Sequence, residues 1–193
     1  MNDHKIRTAP LAVALMHYPT IDRQGELVAT NITNFDIHDI ARACRVYGID
    51  RYYLIHPLKD QLMFVERVLD HWRTGEGARF NPMRRTALVD VKTAENIDKM
   101  KADWGYPNAK IVATAARSLP GQEKYTFSGF KSELQSSQDP YILVFGTGFG
   151  LTQDFMKSCF AVLEPIQGQS KDDYRHLSVR SAVSICLDRL LGA

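Results

Sequence analysis

The chain has 193 residues, 45% hydrophobic and 24% charged, with 24 basic against 22 acidic side chains and a formal charge of +2 at pH 7. That length suits one core rather than two, and the near balance of charge excludes a protein that coats nucleic acid by bulk electrostatics. No apolar run reaches the roughly 18 residues of a membrane-spanning helix.

From the N-terminus, short apolar runs alternate with helical patterns. Residues 11–18, LAVALMHY, read as a buried strand, its apolar part too short for the core of a signal peptide. Residues 36–48 read as a helix that stops at Gly48. Residues 51–57 are rich in β-formers and end at Pro57. Leu62, Val65, Val68, Leu69 and Trp72 recur at helical spacing, so 61–75 reads as a helix ended by Gly75. A strand over 86–91 follows, then a helix over 93–105 capped by Thr93, a strand over 109–116, and a segment 124–137 that ends as a helix. Residues 141–146, YILVFG, give the clearest strand. A helix over 151–160, a strand over 161–166 and a closing helix over 177–192 complete the order. The alternation predicts a single α/β domain over 1–193, a mostly parallel sheet with helices on both faces. The stretch 73–85 is the longest connection without an element, the kind of loop that carries function.

Cys44, Cys159 and Cys186 are far apart, odd in number and set among apolar neighbours. They predict a reducing, cytoplasmic setting rather than a disulfide framework or a metal knuckle.

YILVFGTGFGLTQDF places Gly146, Gly148 and Gly150 between a strand and a helix. Leu151 breaks the dinucleotide pattern G-x-G-x-x-G, and no Lys-Ser/Thr of a P-loop follows, so a phosphate cradle is not expected. Two readings stand: a loop that hugs a flat, mostly uncharged ligand such as an adenosyl group, or a tight turn with no ligand. A second loop, EPIQGQSKDDYRHLSVRSAV, leaves a strand end and enters the last helix, shaped by Pro165 and Gly168. Ser178, with Arg180 close by, stands where that helix begins, and serves either as an ordinary cap or as part of a ligand site.

In NFDIHDIARACRVYGID, Asn34 or Thr33 caps a helix and Asp36 falls in its first turn. Ile37, Ile40, Ala41 and Cys44 share the face to be buried. Asp36, Asp39 and Arg42 run along the other, with an i, i+3 pair expected between Asp39 and Arg42. A capped amphipathic helix accounts for that pattern by itself. Asp36, His38 and Asp39 do not project to one point, so no metal site is expected. RTGEGARFNPMRR sets Arg73, Arg79, Arg84 and Arg85 against Glu76, and reads either as a solvated basic loop or as a phosphate-binding face.

Together these segments resemble the SPOUT (SpoU/TrmD) superfamily of S-adenosylmethionine-dependent RNA methyltransferases. The SpoU segment N-x-G-x-x-x-R is similar to DIHDIAR, where Arg42 matches the arginine, Asp36 stands for Asn and His38 for Gly; Gly48 matches the turn glycine that follows. The middle motif L-V-F-G-x-E-x-x-G-L resembles LVFGTGFGL, without the Glu and one residue shorter. The last, I-P-M-x-G followed by S-L-N-V-S, resembles EPIQG and HLSVRSA, with Ser178 at the Asn. The combination of TNFDIHDIAR, HWRTGEGARFNP, FGTGFGL and HLSVRSAVSICLDRLLG is most similar to a bacterial branch sometimes fused to TrmD-type tRNA guanine methyltransferases.

The resemblance implies a single-domain α/β fold with a C-terminal deep trefoil knot that gathers loops 112–118, 145–151 and 164–179 around S-adenosylmethionine. The implied cofactor residues are Thr114, Ala115 and Ala116 on the first loop, and Phe145, Gly146, Thr147, Gly148 and Gly150 on the second. Leu163 just before the third loop, and Pro165, Ile166, Gly168, His176, Leu177, Ser178 and Val179 within it, complete the set. Arg42 is implied to orient a phosphate or assist deprotonation of the acceptor, with Asp36 or Asp39 as base. Arg73, Arg79, Arg84 and Arg85, with His71, Trp72, Asn81 and Pro82, are implied to bind and stack on RNA, although Trp72 fits the core equally well. The implied reaction methylates tRNA or rRNA and leaves S-adenosylhomocysteine, in a cytoplasmic homodimer whose sites are completed near the interface. Two other readings stay open: a non-catalytic module that binds the cofactor or RNA, and a flavodoxin- or Rossmann-like nucleotide-binding protein.

Overall fold

The computed structural model describes residues 7–117, 121 and 123–192, so Ser118 of the expected 112–118 loop lies outside the described residues. The first half runs β1 (Leu11–Met16), β2 (Thr20–Ile21), β3 (Leu27–Val28), α1 (Asn34–Val46), β4 (Arg51–Ile55), α2 (Lys59–Arg73), α3 (Glu76–Phe80), α4 (Pro82–Leu88) and β5 (Val91–Ala94). The second runs α5 (Ile97–Trp104), β6 (Lys110–Ala113), β7 (Lys124–Tyr125), α6 (Phe127–Ser136), β8 (Tyr141–Gly146), α7 (Gln153–Ser158), β9 (Ala161–Leu163) and α8 (Val179–Leu191).

Seven strands form one parallel sheet in the order β5-β4-β1-β8-β6-β9-β7. β1 is buried at every residue because helices cover both faces, which is why it reads as a continuous apolar run rather than an alternation. Successive side chains still divide between the faces. Leu11, Val13 and Leu15 of β1 join Leu143 and Phe145 of β8 and the inner residues of α1, α2, α6 and α8 in one core. Ala12, Ala14 and Met16 join Ile142, Val144, Met100 of α5 and Met156 of α7 in the other. At about 1.5–3 kcal/mol for each large apolar side chain withdrawn from water, these two layers fix the register of β1 against β4 and β8.

β9 follows β8 in the chain yet lies between β6 and β7. The short β2–β3 hairpin stands apart from the main sheet, paired antiparallel.

Residues 73–93 differ from the expectation. The stretch 73–85 is helical, not a loop, and the strand expected over 86–91 is displaced to 91–94. Asn81 accepts from Arg84 N through its Oδ1 at 3.0 Å and Pro82 takes the first helical position, so N-P-M-R starts α4. Leu88 and Ala87, inside the strand expected over 86–91, are the buried side of that helix. Likewise α5 begins at Ile97 under an Asn96 cap, and Thr93 belongs to β5.

Candidate functional site

The sheet ends in loops at its carboxyl edge, the position where open α/β sheets hold ligands. Four segments meet there around a cleft of about 980 Å³, within the usual size of a small-molecule site. They are Thr114–Arg117 after β6, Phe145–Leu151 at the end of β8, the run from Glu164 to Arg180 between β9 and α8, and Ile21–Gly25 of the β2–β3 hairpin.

Of the expected cofactor residues, Thr114, Ala115, Ala116, Phe145, Gly146, Thr147, Gly148, Gly150, Ile166, His176, Leu177, Ser178 and Val179 line this one cleft. Leu163 is buried in the core beneath it, and Pro165 and Gly168 lie off its wall. Sequence reasoning missed the hairpin; Arg117 and Glu164 fall inside the expected loops 112–118 and 164–179 without having been singled out. A tight turn at D-R-Q-G between two short apolar pairs was the available signal for the hairpin.

The glycine turn is shaped by the protein's own packing. A Cβ on Gly146 would stand 2.7 Å from Leu151 Cγ, and one on Gly148, at φ +62°, would stand 3.0 Å from Ile21 O. Gly150 also takes positive φ, with open space on its Cβ side. The segment is thus a tight turn pressed on the hairpin, and it also lines the cleft. Thr147 Oγ1 donates to Met16 O at 3.2 Å, and Thr30 Oγ1 bridges Thr147 Oγ1 to His17 Nδ1. Burial lowers the His17 pKa to about 4, with Asp36 opposing and His56 adding to the shift. His56, also lowered by burial, accepts from Leu58 N on Nδ1 and faces Thr30 O with Nε2.

The last loop brings α8 onto α1. Ser178 caps α8 by accepting from Ser181 N at 3.2 Å. Arg180, on the cleft wall, places Nη1 3.2 Å from Asp36 Oδ1 and Nε 3.4 Å from Asp39 Oδ2. The expected Asp39–Arg42 pair is not formed among the described residues; Arg180 takes its place. Asp36 is buried rather than on the polar face, because Thr33 and Arg180 engage its two oxygens. Arg42 is exposed, held by no ion pair among the described residues, and is not part of the cleft wall.

The basic stretch divides in function. Arg73 donates to the carbonyls of Leu88, Val89 and Val91, so its guanidinium ties α2 to the α4–β5 connection and is not free for a phosphate. Arg84 lies 4.4 Å over the Trp72 ring, whose edges meet His38 and His71. Trp72 therefore packs against the core, with its ring already covered. Burial and the Arg84 charge lower the His38 pKa. Among the described residues Arg79 pairs only with exposed Glu76, and Arg85 is exposed.

A parallel α/β sheet with a cleft of this size at its carboxyl edge is the arrangement in which open α/β proteins hold small-molecule ligands. Residues 10–192 match the family model described as SAM-dependent RNA methyltransferase, and the chain belongs to that family. It is 38% identical over 183 residues to an uncharacterized protein of Aquifex aeolicus, covering 93% of this chain and 87% of that one. It is 37% identical over 182 residues to a tRNA (guanine-N(1)-)-methyltransferase of Nitratidesulfovibrio vulgaris, covering 94% of this chain and 42% of that protein's length. The crystal structure of TrmJ from Z. mobilis shares the fold, with a TM-score of 0.63 at 14% identity over 96% of this chain and 69% of that one. Among the described residues no helix is long and apolar enough to cross a membrane.

Proposed function

We propose that this chain transfers a methyl group from S-adenosylmethionine to a nucleotide of tRNA or rRNA, as one domain with a knotted C-terminus. The observation that carries the reading is the convergence of the β6, β8 and β9 loops and the start of α8 on one cleft beside α1. The position of β9 between two strands that precede it supports a threaded C-terminal segment, an exception to the general absence of knots. Exposed Phe35 and Val46 on α1 support a homodimer formed across that helix. The three buried thiols, all held as free cysteines, support a cytoplasmic setting.

The residues present fit the cofactor. Phe145, Met156, Ile166 and Leu177 give the cleft an apolar lining suited to a purine, and the turns at 114–116 and 146–150 offer backbone groups for its edge. When bound, S-adenosylmethionine supplies an electrophilic methyl on a cationic sulfur. The chain's own task is to align the acceptor and handle its proton. Arg42, exposed and in no ion pair among the described residues, orients a phosphate of the acceptor strand. Asp39, half exposed, is the better placed proton acceptor; Asp36 is held by Thr33 and Arg180 and acts through them on the helix start. The tRNA methyltransferase relative supports tRNA as acceptor.

The test is calorimetric titration with S-adenosylmethionine and S-adenosylhomocysteine, with NADH as control. Binding of the first two and not of NADH is expected; the reverse would return the chain to a Rossmann-like reading. With an RNA substrate in hand, Arg42→Ala is expected to cut methyl transfer by roughly a hundredfold while leaving S-adenosylhomocysteine affinity unchanged. Equal loss of both would remove Arg42 from the acceptor side.

A further inference from the structure

The β2–β3 hairpin is absent from the motifs that carry the family resemblance, yet it forms one wall of the cleft. It is fixed to the glycine turn by backbone bonds: Ile21 N donates to Gly150 O at 3.0 Å, Phe149 N to Ile21 O at 3.0 Å, and Thr152 N to Pro19 O at 3.2 Å. Thr20 also bridges to Leu151. At its base, the His17–Thr30–Thr147 chain ties the end of β3 to the same turn. Its tip is ordered by Asp22, whose Oδ1 accepts from Gln24 N at 2.8 Å and Glu26 N at 2.9 Å. A wall held at both ends in this way is a fixed surface.

The tip differs in chemistry from the rest of the cleft. The floor is apolar, and most of the charged side chains on the other walls are already engaged. Glu164 accepts from Phe127 N at 2.6 Å, Arg175 pairs with Asp173, and Arg180 with Asp36 and Asp39. Among the described residues, Asp22 and Arg23 on the hairpin and Arg117 on the facing β6 loop line the cleft without an ion pair, as does Glu164, whose Oε1 is taken by Phe127 N. Asp22 Oδ2, like Glu164 Oε2, has no partner among the described residues, but of the two carboxylates only Asp22 is followed directly in the chain by an arginine that also lines the cleft.

Resting on the cofactor reading above, we propose that the hairpin tip is the subsite for the zwitterionic amino-acid end of the sulfonium cofactor. Asp22 Oδ2 takes the ammonium and the Arg23 guanidinium takes the carboxylate. An adjacent carboxylate and guanidinium match the two charges of an α-amino acid, and the apolar floor matches the purine, so the cleft orients the ligand end to end.

The experiment compares S-adenosylhomocysteine with 5′-methylthioadenosine, which keeps the adenosine thioether and lacks the amino-acid end, by calorimetry on the purified chain. Arg23→Ala and Asp22→Asn (the latter retaining Oδ1 for the turn) are each expected to weaken S-adenosylhomocysteine about tenfold, the scale of one charge-assisted hydrogen bond. Both should leave 5′-methylthioadenosine within about twofold. Unchanged S-adenosylhomocysteine affinity in both variants overturns the subsite, and so does equal weakening of the two ligands, which would mean that the tip only shapes the cleft. A wild-type chain that binds neither ligand overturns the cofactor reading itself, and the subsite falls with it.

Discussion

The Arg180 guanidinium reaches Asp36 Oδ1 at 3.2 Å and Asp39 Oδ2 at 3.4 Å, so one side chain at the start of α8 holds the first turn of α1. The Asp36 side chain is 6% exposed and that of Asp39 is 49% exposed. The two halves of this contact therefore differ in energy although their distances are similar. A carboxylate withdrawn from water depends on its partner, whereas an exposed one is stabilised by solvent.

Asp36→Ala should destabilise the chain by roughly 2–4 kcal/mol, because it removes the Thr33 capping box and leaves Arg180 short of its buried partner. Asp39→Ala should cost under about 1 kcal/mol. Urea unfolding of the two variants compares them directly. Equal costs would show that burial of Asp36 contributes nothing.

His17 sets a pH dependence with a definite sign. Its folded pKa, about 4, lies below the ordinary histidine value of 6.5, so the unfolded chain binds the extra proton first. The stability its neutral form contributes is present above about pH 6.5 and is lost as pH falls toward 4, up to roughly 3 kcal/mol. His17→Asn should flatten the slope of unfolding free energy against pH across that window. A slope unchanged by the substitution would assign the acid sensitivity to other groups.

Arg73 and Arg85 were indistinguishable in sequence and should separate in experiment. Arg73→Ala leaves three backbone carbonyls without their donor and is expected to cost about 2–3 kcal/mol of stability. Arg85→Ala should leave stability within about 0.5 kcal/mol and weaken RNA binding with a shallower salt dependence. Filter binding of RNA at several salt concentrations, beside thermal melts, reads both effects. A stable Arg73→Ala variant with weakened RNA binding would return that residue to the interface.

Much of the fold was legible because the strands are apolar runs bounded by turns and the helices are periodic. YILVFG reads as a strand in any context, and β8 spans those same residues. Residues 81–94 were misread because A-L-V-D-V has strand composition, while α4 starts from the Asn81 cap and Pro82, just ahead of that apolar run. The glycine turn was legible as a turn, but the surface it presses on was not. Gly146 meets Leu151, and Gly148 meets a hairpin more than a hundred residues away in the chain.

By itself the sequence determined the alternating α/β pattern, the two-sided burial of the central strands and the three segments that carry the family motifs, since local periodicity and turn chemistry encode these. Only the tertiary structure decided which charges are free. Asp36 became a buried anchor, Arg73 a structural tie and Trp72 a covered ring, while Asp22 and Arg23 were left facing the cleft. Hydrogen bonds and ion pairs form between residues that meet through the sheet, and no spacing along the chain records which partner each side chain finds.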